Sequence, residues 1–141
     1  MYAVNTYVRG KPNIITIDDY VPSSSGYPIF AGIGLDGALW GPVLEKVWAR
    51  TSGNYERINE GLPAETMRFL ANCPTEYYDL TTYDADTIWQ VITNAEAQNY
   101  IMVTGTTGGT DSTTNSFGLA NSHAYTMMGA YIIQAKNGTT Y

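Results

Sequence analysis

The chain has 141 residues, 44% of them hydrophobic and 14% charged, which is enough apolar matter for a core and too little charge for disorder. Seven Lys and Arg against 13 Asp and Glu leave a net charge of −6, which argues against the basic footprint that a nucleic-acid partner requires. One cysteine, Cys73, and one histidine, His123, exclude an intrachain disulfide framework and a cysteine-rich zinc site.

Residues 2–9 and 14–18 favour strands and flank the turn-like Gly10-Lys11-Pro12-Asn13, so they read as a hairpin. Ser23 to Gly26 is a loop, and Tyr27 to Ile33 a short extended piece. Trp40, Val43, Leu44, Val47 and Trp48 recur at helical spacing and predict a helix over 39–51. Pro42 is compatible only with a start near Ala38, because the first four helical N–H groups have no intrahelical partner. Pro63 and Glu65 open a second helix over 63–71, which Asn72-Cys73-Pro74 stops. Thr75-Glu76-Tyr77-Tyr78-Asp79-Leu80 reads as a strand. A third helix runs over 85–98, capped by Asp84, with Ile88, Trp89, Val91, Ile92 and Ala95 on its apolar face. A strand at 100–104 leads into a long, mobile loop of Gly, Thr and Ser, and the segment 123–133 reads as a last strand. The sum is α+β: an antiparallel β-sheet with about three helices packed on it.

The start of the chain lacks the pattern of a secretion signal, and no apolar run approaches the ~18 residues of a membrane span. An intracellular, cytoplasmic protein with no membrane partner is the expectation. The sequon Asn137-Gly138-Thr139 then carries no glycan. The 12 tyrosines form no repeat and suit half-buried strand surfaces better than a sugar-stacking face. The three tryptophans, Trp40, Trp48 and Trp89, lie on helix faces and are expected in the core.

His123 opens a strand directly after the Gly-rich loop, and it is the one side chain that by default titrates near neutrality. Gly118-Leu119 followed by His123-Ala124-Tyr125 resembles the histidine strand of the calpain family, which has a papain-like fold. Three further stretches resemble the same family in the same order. Residues 6–22 carry Asp18, Asp19 and Pro22 where its hairpin pattern has them. Residues 38–56 carry Trp40, Leu44, Glu45, Lys46, Gly53 and Tyr55 of its helix pattern, and residues 75–80 resemble its Thr-Glu-Trp-Tyr-Glu-Leu segment.

The resemblance implies a calpain-like cysteine endopeptidase in which His123 is the catalytic histidine. It implies that residues 1–141 form one catalytic subdomain, the histidine-bearing lobe, as a fragment whose partner is the cysteine-bearing lobe and whose substrate is a protein or peptide. The family's nucleophile motif and its Asn-Pro-Trp-Gly segment are not in these residues. The isolated chain is therefore expected to be inactive. Cys73 follows the end of a helix, where the dipole disfavours a thiolate, and it is expected to be a bystander. Calcium is implied by the resemblance alone. Asp84-Ala85-Asp86 lacks the spacing of an EF-hand loop, and no tight calcium site, other metal or cofactor is expected in these residues. The alternative is a non-catalytic, calpain-like module that binds a peptide or protein. A stand-alone enzyme of another class has no phosphate loop, nucleophile elbow or paired-histidine motif to rest on.

Overall fold

The computed structural model describes residues 1–138, so Thr139 of the sequon lies outside the described residues. The chain divides into two compact units, Met1–Glu76 and a second from Tyr77 onward.

The first unit begins with β1 (Tyr2–Val8) and β2 (Lys11–Ile17), paired antiparallel from Tyr2↔Ile17 to Val8↔Lys11. Arg9 and Gly10 join them with φ of 50° and 76°. Positive φ at both central residues is the type I′ turn, whose twist matches that of the strands it joins. The turn is therefore one step earlier than the sequence suggested, and Pro12 lies inside β2 opposite Tyr7. That site tolerates proline because alternate residues of an antiparallel pair do not use their N–H across the ladder. A second, smaller hairpin joins β3 (Ser23–Ser24) to β4 (Tyr27–Pro28).

Helix α1 (Trp40–Ser52) places Pro42 in its first turn, as required, and ends at Gly53 with φ 110°. Helix α2 (Pro63–Ala71) starts on Pro63 and ends on the left-handed Asn72, whose N–H donates to the Arg68 carbonyl. The core sits between these helices and the hairpin: Ile17, Val47 and Phe69 are buried, with Tyr2, Val4, Ile15, Val43, Trp48 and Leu70 packed on them. Thr6 is fully buried on the same hairpin, and its hydroxyl donates to the Asn13 carbonyl across the ladder at 3.1 Å. Trp48 meets Phe69 at 4.9 Å between ring centroids. Trp40, expected in the core, is 71% exposed at the first position of α1.

Four of the residues that carry the family resemblance, Asp18, Glu45, Lys46 and Tyr55, fasten α1 and the residues just after it to the preceding loop. Lys46 is paired with Asp18 and also donates to the Tyr20 carbonyl. Glu45 accepts from the Ala31 N–H at 3.0 Å, and Tyr55 stacks on Phe30 with centroids 5.2 Å apart. The hydrogen bond from Lys46 holds the Asp18 carboxyl below its ordinary range. Burial pushes the Tyr55 phenol up, with Glu45 and Asp18 adding to the effect.

In the second unit, residues 77–80 form no strand. The Asp79 carboxylate accepts from the Thr81 N–H at 2.8 Å, and its carbonyl accepts from Thr82 and Tyr83, so the chain turns. Helix α3 (Ala85–Ala97) follows, capped by Asp84, whose side chain accepts from the Thr87 N–H at 2.7 Å. This bond and a second one from the Thr87 hydroxyl hold the Asp84 carboxyl below its ordinary range. The helix ends with Asn99 at φ 54°, Asn99 N–H to Glu96 and Tyr100 N–H to Ala95, the two bonds of a Schellman motif.

Strands β5 (Met102–Gly105) and β6 (Ala124–Met127) pair antiparallel in the register Met102↔Met127 to Gly105↔Ala124. The expected strand 123–133 is cut to four residues, because β5 offers only four to pair with. Met127 is half-buried and Met128 is 92% exposed, the alternation that a pleated strand imposes. The class is thus α+β, with three α-helices and antiparallel pairing spread over three two-stranded ladders among the described residues. Among the described residues no helix is long and apolar enough to cross a membrane.

Candidate active site around His123

His123 stands one residue before β6, at the point where the β5–β6 ladder opens into a long excursion. Two bonds carry the ladder one step further. The Thr106 N–H donates to the His123 carbonyl at 3.0 Å, and the His123 N–H donates to the Thr106 hydroxyl at 3.1 Å. The same hydroxyl donates to the Ala120 carbonyl at 2.6 Å. One threonine side chain therefore ties both the backbone of His123 and the returning arm of the loop to the end of β5.

The Gly/Thr stretch is built from defined contacts and not from loose chain. Its far end is an inner hairpin, with Asn121 N–H to the Thr113 carbonyl and Asn115 N–H to the Leu119 carbonyl, both at 2.8 Å. The Asn115 side chain accepts from the Phe117 and Leu119 N–H groups and closes the tip. Gly109 has φ 63°, and a Cβ there would lie 2.7 Å from the Thr113 hydroxyl. Both the left-handed backbone and the close approach demand glycine at this position. Ser122, next to the histidine, also has a positive φ of 45°, an arrangement that costs a non-glycine residue energy and here turns the chain into β6.

The imidazole itself is exposed. Its Nδ1 lies 2.7 Å from the Ala124 carbonyl. A carbonyl only accepts, so Nδ1 carries the hydrogen in this contact, and the neutral ring then has its lone pair on Nε2. The ring leans on Tyr125 with centroids 4.9 Å apart, and the Tyr125 hydroxyl accepts from the Ala120 N–H at 2.8 Å. An exposed imidazole with one nitrogen engaged and its backbone pinned on both sides is suited to taking and returning a proton. The roles of Thr106 and Tyr125 were not visible beforehand. Thr106 is one of several hydroxyl residues in a low-complexity stretch, and only the strand register singles it out.

Cys73 belongs to the first unit, just beyond α2, where its thiol donates to the Met67 carbonyl at 3.4 Å. That contact uses the thiol as a donor to a carbonyl within α2, as a structural cysteine does. Calcium is the ion that the family resemblance implies. Among the described residues no three His, Cys, Asp or Glu side chains converge, and both Asp84 oxygens are taken by Thr87. These side chains do not form the oxygen cage that calcium needs.

A profile of calpain family cysteine proteases matches residues 1–141. The chain belongs to the calpain family. It is 26% identical over 150 aligned residues to the calpain-type cysteine protease DEK1 of Zea mays, covering 97% of the chain and 7% of that protein. It is 27% identical over 135 residues to calpain clp-1 of Caenorhabditis elegans, covering 93% of the chain and 17% of the relative. The calpain-1 catalytic subunit of Mus musculus is 31% identical over 81 residues, covering 57% of the chain and 11% of the relative. The chain thus spans less than a fifth of the length of each of these relatives.

The pinning of His123 is open to a direct check. Thr106→Val keeps the shape but removes the acceptor for the His123 N–H and the donor to Ala120. Loss of one net hydrogen bond should speed hydrogen exchange at the His123 amide by roughly three- to tenfold. Thr106→Ser should restore the slow exchange, since it keeps the hydroxyl.

Proposed function

We propose that this chain contributes the catalytic histidine, His123, to a calpain-type cysteine endopeptidase whose nucleophilic cysteine comes from outside these 141 residues. The observation that carries the reading is the placement of the one histidine of a calpain-family chain. It is solvent-facing, at a strand end, with its backbone held by Thr106 and its ring by Ala124 and Tyr125.

In this role the imidazole takes the proton of the cysteine thiol, and the thiolate attacks the peptide carbonyl. The resulting imidazolium returns a proton to the leaving amine as the C–N bond breaks. Water then hydrolyses the thioester, with the imidazole acting as base a second time. A group that fixes the ring nitrogen facing the sulfur belongs to this scheme, and the Asn-Pro-Trp-Gly segment that supplies it in the family is not among these residues. On this reading the chain is the histidine-bearing lobe of a catalytic domain, and its partners are a cysteine-bearing lobe and a protein or peptide substrate. Its lone cysteine is in keeping with a reducing cytoplasm.

Mixing the chain with a matching cysteine-bearing lobe, with calcium present, tests this reading through cleavage of a fluorogenic peptide. The chain alone should show no cleavage, the mixture should show it, and Cys73→Ser should leave the mixture unchanged. Cleavage by the isolated chain that is lost with Cys73→Ser would overturn it. A mixture that binds the peptide without cutting it would favour a non-catalytic binding module.

A further inference from the structure

The first unit carries a groove of about 630 Å³ that has no part in the chemistry proposed for His123. It runs between the β1–β2 turn, α1 and the end of α2, and it is open to solvent. Trp48 supplies its apolar floor above the buried Phe69, and Arg9, Arg68, Glu65 and Cys73 are on its walls. The chain has seven Lys and Arg in all, and two of its arginines line this one groove against one carboxylate, in a protein whose net charge is −6. Among the described residues neither guanidinium forms a salt bridge, so both are available to a ligand.

Arg9 is the more telling of the two. It occupies the first central position of a type I′ turn at φ 50°, where Asn, Asp or Gly is the low-cost choice. A bulky cation held in a left-handed turn is a strained arrangement, and strain of this kind collects at binding sites. Guanidinium groups pair with carboxylates through two parallel bonds, and an aromatic floor takes an aromatic or long aliphatic side chain. An open cleft suits an extended chain, whereas small ligands are mostly engulfed.

We infer that this groove binds an extended acidic peptide, with an aromatic side chain on Trp48 and flanking carboxylates on Arg9 and Arg68. The acidic remainder of the protein does not prevent this, because a short peptide feels mainly charges within a Debye length of ~8 Å. A nucleic acid, with phosphates extending beyond the groove, would meet that acidic remainder.

The test uses the whole chain and a labelled peptide, Gly-Glu-Phe-Asp-Glu-Gly, read by fluorescence anisotropy. Arg9→Asn suits the turn and Arg68→Gln suits the helix, so both remove charge at little cost to the fold. Each should weaken binding by roughly two- to fivefold, and the pair together by roughly tenfold or more. The wild-type chain gives an independent readout, since the peptide should slow alkylation of Cys73 in the same groove. Equal binding of a peptide with lysines in place of the acids would overturn the inference. So would unchanged affinity in the double variant, no protection of Cys73, or displacement of the peptide by an oligothymidine strand. None of these outcomes depends on His123, so the groove and the catalytic reading stand or fall separately.

Discussion

Phe69→Ala should unfold the first unit or bring it to the edge of unfolding. Phe69 is 5% exposed and joins Ile17 and Val47 as the buried centre of that unit. It is also the residue through which α2 meets Trp48 of α1, at 4.9 Å between rings. Truncating a buried phenylalanine costs about 3–5 kcal/mol, through lost burial and the cavity left behind. A small unit has a total stability at the low end of about 5–15 kcal/mol, so the loss is most of what is available. The core offers little room for repair, since the partly buried residues around it, Tyr2, Val4, Ile15, Val43, Trp48 and Leu70, are already committed on the hairpin and the two helices. Phe69→Leu keeps most of the volume and should cost about 1.5 kcal/mol or less. Denaturant titration followed by near-ultraviolet circular dichroism distinguishes the two. A midpoint for Phe69→Ala within error of wild type would show that the core is held elsewhere.

Much of this arrangement was legible because helix ends have local chemistry. Pro63 can only begin a helix and Asn72 readily adopts the left-handed cap, so α2 falls at 63–71, as expected. Asp84 caps α3 for the same kind of reason. Strand ends depend on partners distant in sequence, and there the reading was poorer. The segment 75–80 has strand composition, yet Asp79 bonds its own downstream backbone and the chain turns. The 123–133 run has the composition for a long strand, but β5 supports only Ala124–Met127. Trp40 fits the apolar face of a helix by spacing, and its place at the first helical position leaves it exposed. The placement of a side chain on a helix face says nothing about whether anything lies opposite.

The site shows the same division. His123 stood out because it is the one histidine and because its flanking residues resemble a family pattern. Asp18, Glu45, Lys46 and Tyr55 carried the resemblance equally well, and they serve to fasten the loop before α1 to that helix. A pattern match therefore mixed one residue of chemical interest with several that hold the frame. Thr106, which pins His123, carried no signal, because its role arises from register across a loop that returns 17 residues later.

In a complete protease containing this chain, His123→Ala should lower kcat/KM by on the order of 10²–10⁴-fold, the range that a positioned acid–base group supplies. The loss should fall on kcat, since an imidazole that only moves protons contributes little to ground-state binding, and KM should change far less. The form of the pH profile is more specific than the size of the loss. With the histidine present, the reaction uses both a base and an acid, and the pH profile should have two limbs. Without it, the residual rate should follow the ionisation of a lone thiol and rise continuously with pH. Thr106→Val separates position from chemistry. It leaves the imidazole in place but frees its backbone, so it should lower kcat while keeping a two-limbed profile, and Thr106→Ser should recover most of the loss. If His123→Ala instead raised KM and left kcat intact, the histidine would be a substrate contact. The calpain-type chemistry would then have to draw its base from another part of the protease.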